Sequence, residues 1–408
     1  MYWDLKSKLD IYRKGSVKQA DSPVRGECDI HNVLNGSVCS NEDGHYYYIE
    51  NRYPLYYLYG GYPLGKALQI ECRSIGRICG KPGIQLNTED FLFLDTETTG
   101  LSGGAGTVAF LIGTGCFEDN AFVLRQYFMR DYDEEAALLR ALNQVLSKHK
   151  GLVTFNGKAF DWNILQGRYI FNRIKPGISD PIHMDLLYPS RRIWRLKLES
   201  CRLVSLEENI LGEYRVDDIP GALIPSVYFK YLEDRNAEDI KRIIRHNELD
   251  ILSMVSLLIK ISSMLENPLA EAECKQELLG LGRIFEKNGE YDNVMECFEE
   301  CIKSDNFFVK DAACRKLSDM YKRSGNYEKA VEHWINMTNN SETVNIFPMV
   351  ELAKYYEHKE KNIAKAIDIV EKAIQYSSRI GFCNNIHYDD LKKRLSRLQR
   401  KAGRSKNA

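Results

Sequence analysis

The sequence predicts an α/β domain built on a mixed sheet flanked by helices, followed by an all-α array of helical repeats. Three observations carry this. A short apolar run, Phe91-Leu92-Phe93-Leu94, ends abruptly at Asp95 and Glu97. Strand-like and helix-like patterns then alternate to about residue 265. Beyond residue 270, Phe285-x-x-x-Gly289-x-Tyr291 recurs 36 residues later as Tyr321-x-x-x-Gly325-x-Tyr327. The implied division is a β-rich accessory segment over 1–87, an α/β domain over 88–265, repeats over 270–400 and a basic tail over 401–408.

Composition bounds the function. A chain of 408 residues has room for two or three domains. With 44% hydrophobic and 28% charged residues it reads as ordinary globular protein. A net charge of -1 excludes a general polycation, so affinity for nucleic acid must come from local patches or bound cations. The sequence has no apolar run of the length a membrane span needs, and its N-terminus lacks a signal-peptide core. Eleven cysteines, odd in number and without a Cys-x-x-Cys pair, fit the reducing cytoplasm better than a disulfide framework or a zinc ribbon. No membrane partner and a cytoplasmic location are therefore expected.

The elements follow in order. Tyr46, Tyr47, Tyr48, Tyr53, Tyr56, Tyr57, Tyr59 and Tyr62 crowd the first segment. Tyrosines can stack on bases, and they also suit pleated strands. Basic residues are sparse there, which favours a β-rich module over a stacking groove. The apolar run at 91–94 fits a strand buried on both faces. Gly100 to Gly106 is glycine-rich but is no phosphate-cradling motif, so it reads as a hairpin connection. Strands are expected over 107–117 and 122–129, and a helix over 133–148. A strand over 151–155, a helix over 159–174 and a strand over 183–187 complete the unit. Three consecutive strands, then helix, strand, helix, strand, is the order of a ribonuclease-H-like fold. Sheets of this kind bind ligands outside the carboxyl ends of their strands, where Asp95 and Glu97 fall.

In the last third, Asn362-Ile363 continues the 36-residue interval and Ala366 matches Ala330. The period and the helix-turn-helix pattern resemble tetratricopeptide repeats. Such arrays often present a concave surface to a protein partner. The alternative is a helical cap on the catalytic domain. The basic run near the C-terminus suits either nucleic-acid contact or a solvated helix end.

Three stretches carry candidate chemistry. Asp95 and Glu97 alternate on a strand and so point to one side. An isolated pair of this kind is often a plain polar turn, but adjacent fixed carboxylates are also how a divalent cation is held. In FNGKAFDWNIL, Asn156 closes a strand and Asp161 opens a helix. In RHNELDILSM, His246 and Asp250 lie four apart, on one helical face.

Asp-x-Glu-Thr-Thr-Gly-Leu, then Asn-x-x-x-Phe-Asp, then a final helix bearing Asp resembles the DEDD superfamily of 3'-5' exonucleases. HMDLLYPSRRIWRLKLESCRL and the DDIPG stretch resemble, within it, the YprB-type ribonuclease-H-like predicted exonucleases. The resemblance implies that Asp95, Glu97, Asp161 and Asp250 hold two Mg2+ or Mn2+ ions. It implies two-metal hydrolysis of phosphodiester bonds in single-stranded DNA or RNA, with His246 taking the proton of the attacking water. One departure stands out. The family's histidine type normally has four residues between the histidine and the last Asp and its tyrosine type has three between, whereas this chain has histidine with three between, His246 and Asp250.

Nucleic-acid contacts are expected at Thr98, Asn156 and Lys158, and in the basic run at Arg191, Arg192, Trp194 and Arg195. That run also fits a solvated basic face with Trp194 buried. Asp185 reads as structural. Two other functions remain open: a nucleic-acid-binding or scaffold protein with weak turnover, and a structure-dependent endonuclease.

Overall fold

The computed structural model describes residues 29–100, 106–339, 346–379 and 386–406. The start of the N-terminal segment, the glycine-rich connection after Gly100 and the end of the basic tail lie outside the described residues.

Among the described residues, a helical turn at Ile30–Val33 precedes β1 (Ser37–Asn41), β2 (Gly44–Pro54) and a small ribbon of β3 (Leu58–Tyr59) and β4 (Tyr62–Pro63), then α1 (Cys72–Cys79). Next come β5 (Phe91–Thr98), β6 (Ala109–Glu118), β7 (Ala121–Phe128), α2 (Glu135–Leu146), β8 (Gly151–Thr154), α3 (Asp161–Phe171), β9 (Ile182–Asp185) and α4 (Leu187–Trp194). After α5 (Ile224–Asp234), the 29-residue α6 (Glu238–Glu266) crosses the sheet. The repeats are α7 (Lys275–Lys287) with α8 (Tyr291–Cys301), α9 (Phe307–Arg323) with α10 (Tyr327–Asn339), and α11 (Ile346–His358) with α12 (Ile363–Arg379). A last helix, α13 (Ile386–Lys406), follows.

The sheet has seven strands in the order β1-β2-β7-β6-β5-β8-β9. β8 and β9 run parallel to β5, and the other pairings are antiparallel. β5 therefore sits in the interior of the sheet, where its continuous apolar run is buried from both sides. Phe91 and Phe93 face the core that contains α6, and Leu92 and Leu94 face the core that contains α2 and α3. Alternation along the strand thus sends Asp95 and Glu97 toward the α6 side. The pairing of β5 with β6 shifts register between Glu97 and Thr98, a bulge at the mouth of the site.

Packing crosses two of the expected boundaries. The N-terminal segment is β-rich but not accessory, because β2 pairs with β7 from Tyr47↔Phe128 to Pro54↔Ala121 and extends the same sheet. Most of its tyrosines are at least half-buried, though Tyr56 is exposed: Tyr47 is fully buried and donates to the Leu34 carbonyl at 3.0 Å, and Tyr59 bonds Ser253 at 3.0 Å. The repeats do not start as an independent domain either. One hydrophobic core runs from Tyr59 through α6 to Phe285, Phe298 and Leu317. Gly280 of α7 lies against the backbone of α4, so close that a Cβ there would meet the Arg192 carbonyl oxygen at 2.2 Å. Arg77 of α1 ties these parts together: it donates to the Leu265 carbonyl at 2.7 Å and to Glu290, just before α8, at 2.7 and 2.8 Å.

Candidate metal centre

The centre is assembled from β5, the first turn of α3, and α6. Asp95 is half-buried at the end of the apolar run. Its Oδ2 accepts a 2.8 Å hydrogen bond from Nδ2 of Asn247, a fully buried α6 residue. The Oδ1 of Asn247 in turn accepts from Gln126 of β7 at 2.9 Å. α6 can approach this closely because Gly113 faces it; a Cβ there would meet the Asn247 Oδ1 at 2.1 Å. Asp161 opens α3 and is 5% exposed. Its Oδ1 accepts from the Thr96 amide at 3.1 Å and the Thr96 hydroxyl at 2.6 Å, which fixes it against β5.

The charges of the four carboxylates act on one another. Burial, then the charges of Asp250 and Asp161, push the Asp95 carboxyl well above its ordinary range. Glu97 is raised by burial and by Asp95, Asp250 and Asp161. Burial pushes Asp161 up to about 6, against the bonds from Thr96 that favour its charged form. A cluster that resists holding its own negative charge fits divalent cations, and all donors here are hard oxygens or imidazole nitrogen. Glu97, His246 and Asp250 each place one donor atom within 4.8 Å of the others.

Sequence reasoning missed the groups around His246 and Asp250. Arg215 reaches in from the loop before α5, with its side chain only 4% exposed. Its guanidinium bonds the fully buried Glu207 through Nε at 2.6 Å and Nη2 at 2.5 Å. Nη2 also bonds Asp250 Oδ1. Nη1 lies 3.4 Å from Asp218 Oδ2 and 3.2 Å from His246 Nδ1. His246 Nδ1 is 2.8 Å from Asp218 Oδ1, and its Nε2 is 3.5 Å from Asp250 Oδ2. Only the DDIPG stretch, where Asp217 and Asp218 follow Arg215 closely, gave any signal of these partners.

The expected nucleic-acid contacts divide. Asn156 and Lys158 are exposed in the turn before α3, and Asn156 takes a left-handed φ of 69°. Asp185 holds that turn, accepting from the amides of Asn156 at 2.8 Å, Lys158 at 3.1 Å and Leu187 at 3.1 Å. This capping ends β9 at Asp185, two residues earlier than the apolar pattern implies. Arg191 and Arg195 are exposed and Arg192 half-exposed. Trp194 is a correction: it is fully buried under α7, and its indole donates to Glu277 at 3.0 Å, so no base can stack on it. Thr98 is also turned inward, its hydroxyl donating to the Gly100 carbonyl at 2.9 Å.

Comparison with known proteins agrees with this architecture. The RNase H superfamily family model matches residues 92–262, and the tetratricopeptide repeat model matches 278–307. The chain is similar to YprB of Bacillus subtilis (strain 168), a protein described as uncharacterized, with 32% identity over 318 residues. That alignment covers 77% of this chain and 76% of YprB. The chain therefore belongs to the YprB family, with an RNase H superfamily domain joined to a tetratricopeptide repeat region.

Proposed function

We propose that the protein is a metal-dependent 3'-5' exonuclease that hydrolyses phosphodiester bonds of single-stranded nucleic acid. The convergence of Asp95, Glu97, Asp161 and Asp250, whose charges raise the proton affinity of the buried Asp95 and Glu97, carries this reading. Two Mg2+ or Mn2+ ions, when bound by these carboxylates, would supply an activated water and charge stabilisation for the leaving oxygen. Thr96 and Asn247 hold Asp161 and Asp95 in their ligand orientations. Asn156, Lys158, Arg191 and Arg195 are exposed polar groups that we assign to contact with the strand. The repeats, by their kind, are candidates for a protein partner. Among the described residues no helix is long and apolar enough to cross a membrane.

The test is digestion of single-stranded DNA and RNA, labelled at either end, with Mg2+ or Mn2+ and with EDTA. Stepwise release of nucleotides from the 3' end by the wild type, absent with EDTA and with Asp95→Asn, is expected. Internal fragments would point to endonucleolytic cutting. A second reading, binding with weak turnover, draws on the Arg215 cation already paired to Asp250. Retention of labelled strand without cleavage in either ion would favour it.

A further inference from the structure

The histidine of this site stands in an unusual relation to its aspartate. On α6 the four-residue separation places His246 and Asp250 one above the other, with Nε2 3.5 Å from Oδ2. That is too long for a good hydrogen bond, whereas Nδ1 lies at 2.8 Å from Asp218 Oδ1. Nδ1 also lies 3.2 Å from the Arg215 Nη1 donor, but the shorter 2.8 Å contact is to the Asp218 carboxylate, which only accepts; a neutral ring with its proton on Nδ1 donates to Asp218 and keeps the Nε2 lone pair. Nε2 lies 3.5 Å from Asp250 Oδ2, and a Glu97 oxygen belongs to the same group of donor atoms. Three electron-rich atoms within 4.8 Å of one another are the arrangement a cation completes.

The surrounding groups fix each donor. Asp250 divides its oxygens: Arg215 holds Oδ1 and leaves Oδ2 toward His246. Arg215 is itself anchored by Glu207. Asp218 orients the imidazole as carboxylates orient ligating histidines elsewhere. We infer that His246 is a direct ligand, binding one divalent cation through Nε2 together with Glu97 and Asp250. It is thereby relieved of the proton-accepting role that its motif implies. An imidazole in the set shifts selectivity from Mg2+, which prefers oxygen alone, toward Mn2+ and later transition ions. The inference rests on the reading of the carboxylate cluster as a metal centre.

The experiment uses the full chain, stripped with EDTA, and reads binding rather than turnover. Mn2+ and Mg2+ titrations are followed by calorimetry, and bound Mn2+ by electron spin echo spectroscopy for a directly coordinated nitrogen. The wild type should bind Mn2+ with nitrogen modulation and prefer it to Mg2+. His246→Ala, shown to be folded by circular dichroism, should lose the modulation and most of the preference. Asp218→Asn should weaken Mn2+ binding on the order of 10- to 100-fold, as loss of an orienting partner does. Mn2+ bound to the wild type without nitrogen modulation would overturn the ligand assignment and leave the carboxylate centre standing. No binding of either ion would overturn both. Nitrogen modulation without any hydrolysis would uphold His246 as a ligand and remove the nuclease reading.

Discussion

Asp95 is pulled in two directions by its neighbours. The Asn247 bond favours its charged form, while burial and the charges of Asp250 and Asp161 oppose it. In Asp95, Glu97 and Asp161 the folded state holds protons more tightly than the unfolded chain. Each therefore contributes stability that is complete below the ordinary carboxylate pKa, near 4, and is lost as pH rises through the raised value, about 6 for Asp161. Removing the Asp95 charge also lessens the shift of Glu97, which acts in the same direction as the loss of the Asp95 proton site. In EDTA, Asp95→Asn should melt above the wild type, by a gap that widens from pH 4 to pH 7. Saturating Mn2+ should reverse the order; a gap independent of pH, read by calorimetry, would sink the argument. Asn247→Ala removes the bond that favours the Asp95 carboxylate and strands a Gln126 donor, at a cost of about 1–3 kcal/mol. Its ion affinity should fall with its melting temperature, and denaturant and calorimetric titrations check both. The four carboxylates were legible because each sits in a short local motif on a strand end or helix. Arg215, Glu207 and Asn247 were not, because their bonds join residues distant in sequence: Asn247 meets Asp95 across 152 positions. Trp194 was read alongside arginines because a basic amphipathic stretch looks the same whether its apolar side meets solvent or a helix 83 residues onward.

At the scale of elements, the repeats share one turn geometry. Gly289 and Gly325 both adopt left-handed φ, at 75° and 82°, between their paired helices. The third pair places Lys361 at the corresponding position, with φ 57°. Glycine enters that region freely, whereas a residue with a Cβ does so at a cost of about 1–2 kcal/mol. Lys361→Gly should therefore stabilise the third helix pair by about 1 kcal/mol, and Gly325→Ala should destabilise the second by a similar amount. Hydrogen exchange of α11 and α12 measures the first; unchanged protection would show that Lys361 is unstrained. The repeat was legible from these glycines and the tyrosines after them, which is local turn chemistry. The pairing of β2 with β7 was not, since a strand of alternating tyrosines carries no mark of its partner.

The whole molecule is organised around α6, which supplies Asn247, His246 and Asp250 to the proposed metal centre and Leu257, Leu258 and Ile261 to the core it shares with the repeats. A chain ending at residue 270 loses Leu278, Leu279, Leu281, Ile284 and Phe285 from that core. At about 1.5–3 kcal/mol per buried side chain the loss is on the order of 10 kcal/mol. That equals the whole stability of an ordinary domain, about 5–15 kcal/mol. The truncated protein should be insoluble, while a chain ending at Ser324 should keep this core and fold. Cooperative melting of the shorter chain would disprove the shared core. The order of strands and helices around β5 could be read in advance because each is patterned by its own residues. The fusion could not, because it depends on a contact of bare backbone at Gly280. That contact also gives the array a direction of inheritance. The first helix pair can pass between lineages only with the α4 it rests on, while the pair that lies wholly beyond Ser324, α11 with α12, is free to be gained, lost or exchanged. Variation among relatives should therefore accumulate toward the C-terminus, with the first pair behaving as an adaptor onto which other repeats can be spliced.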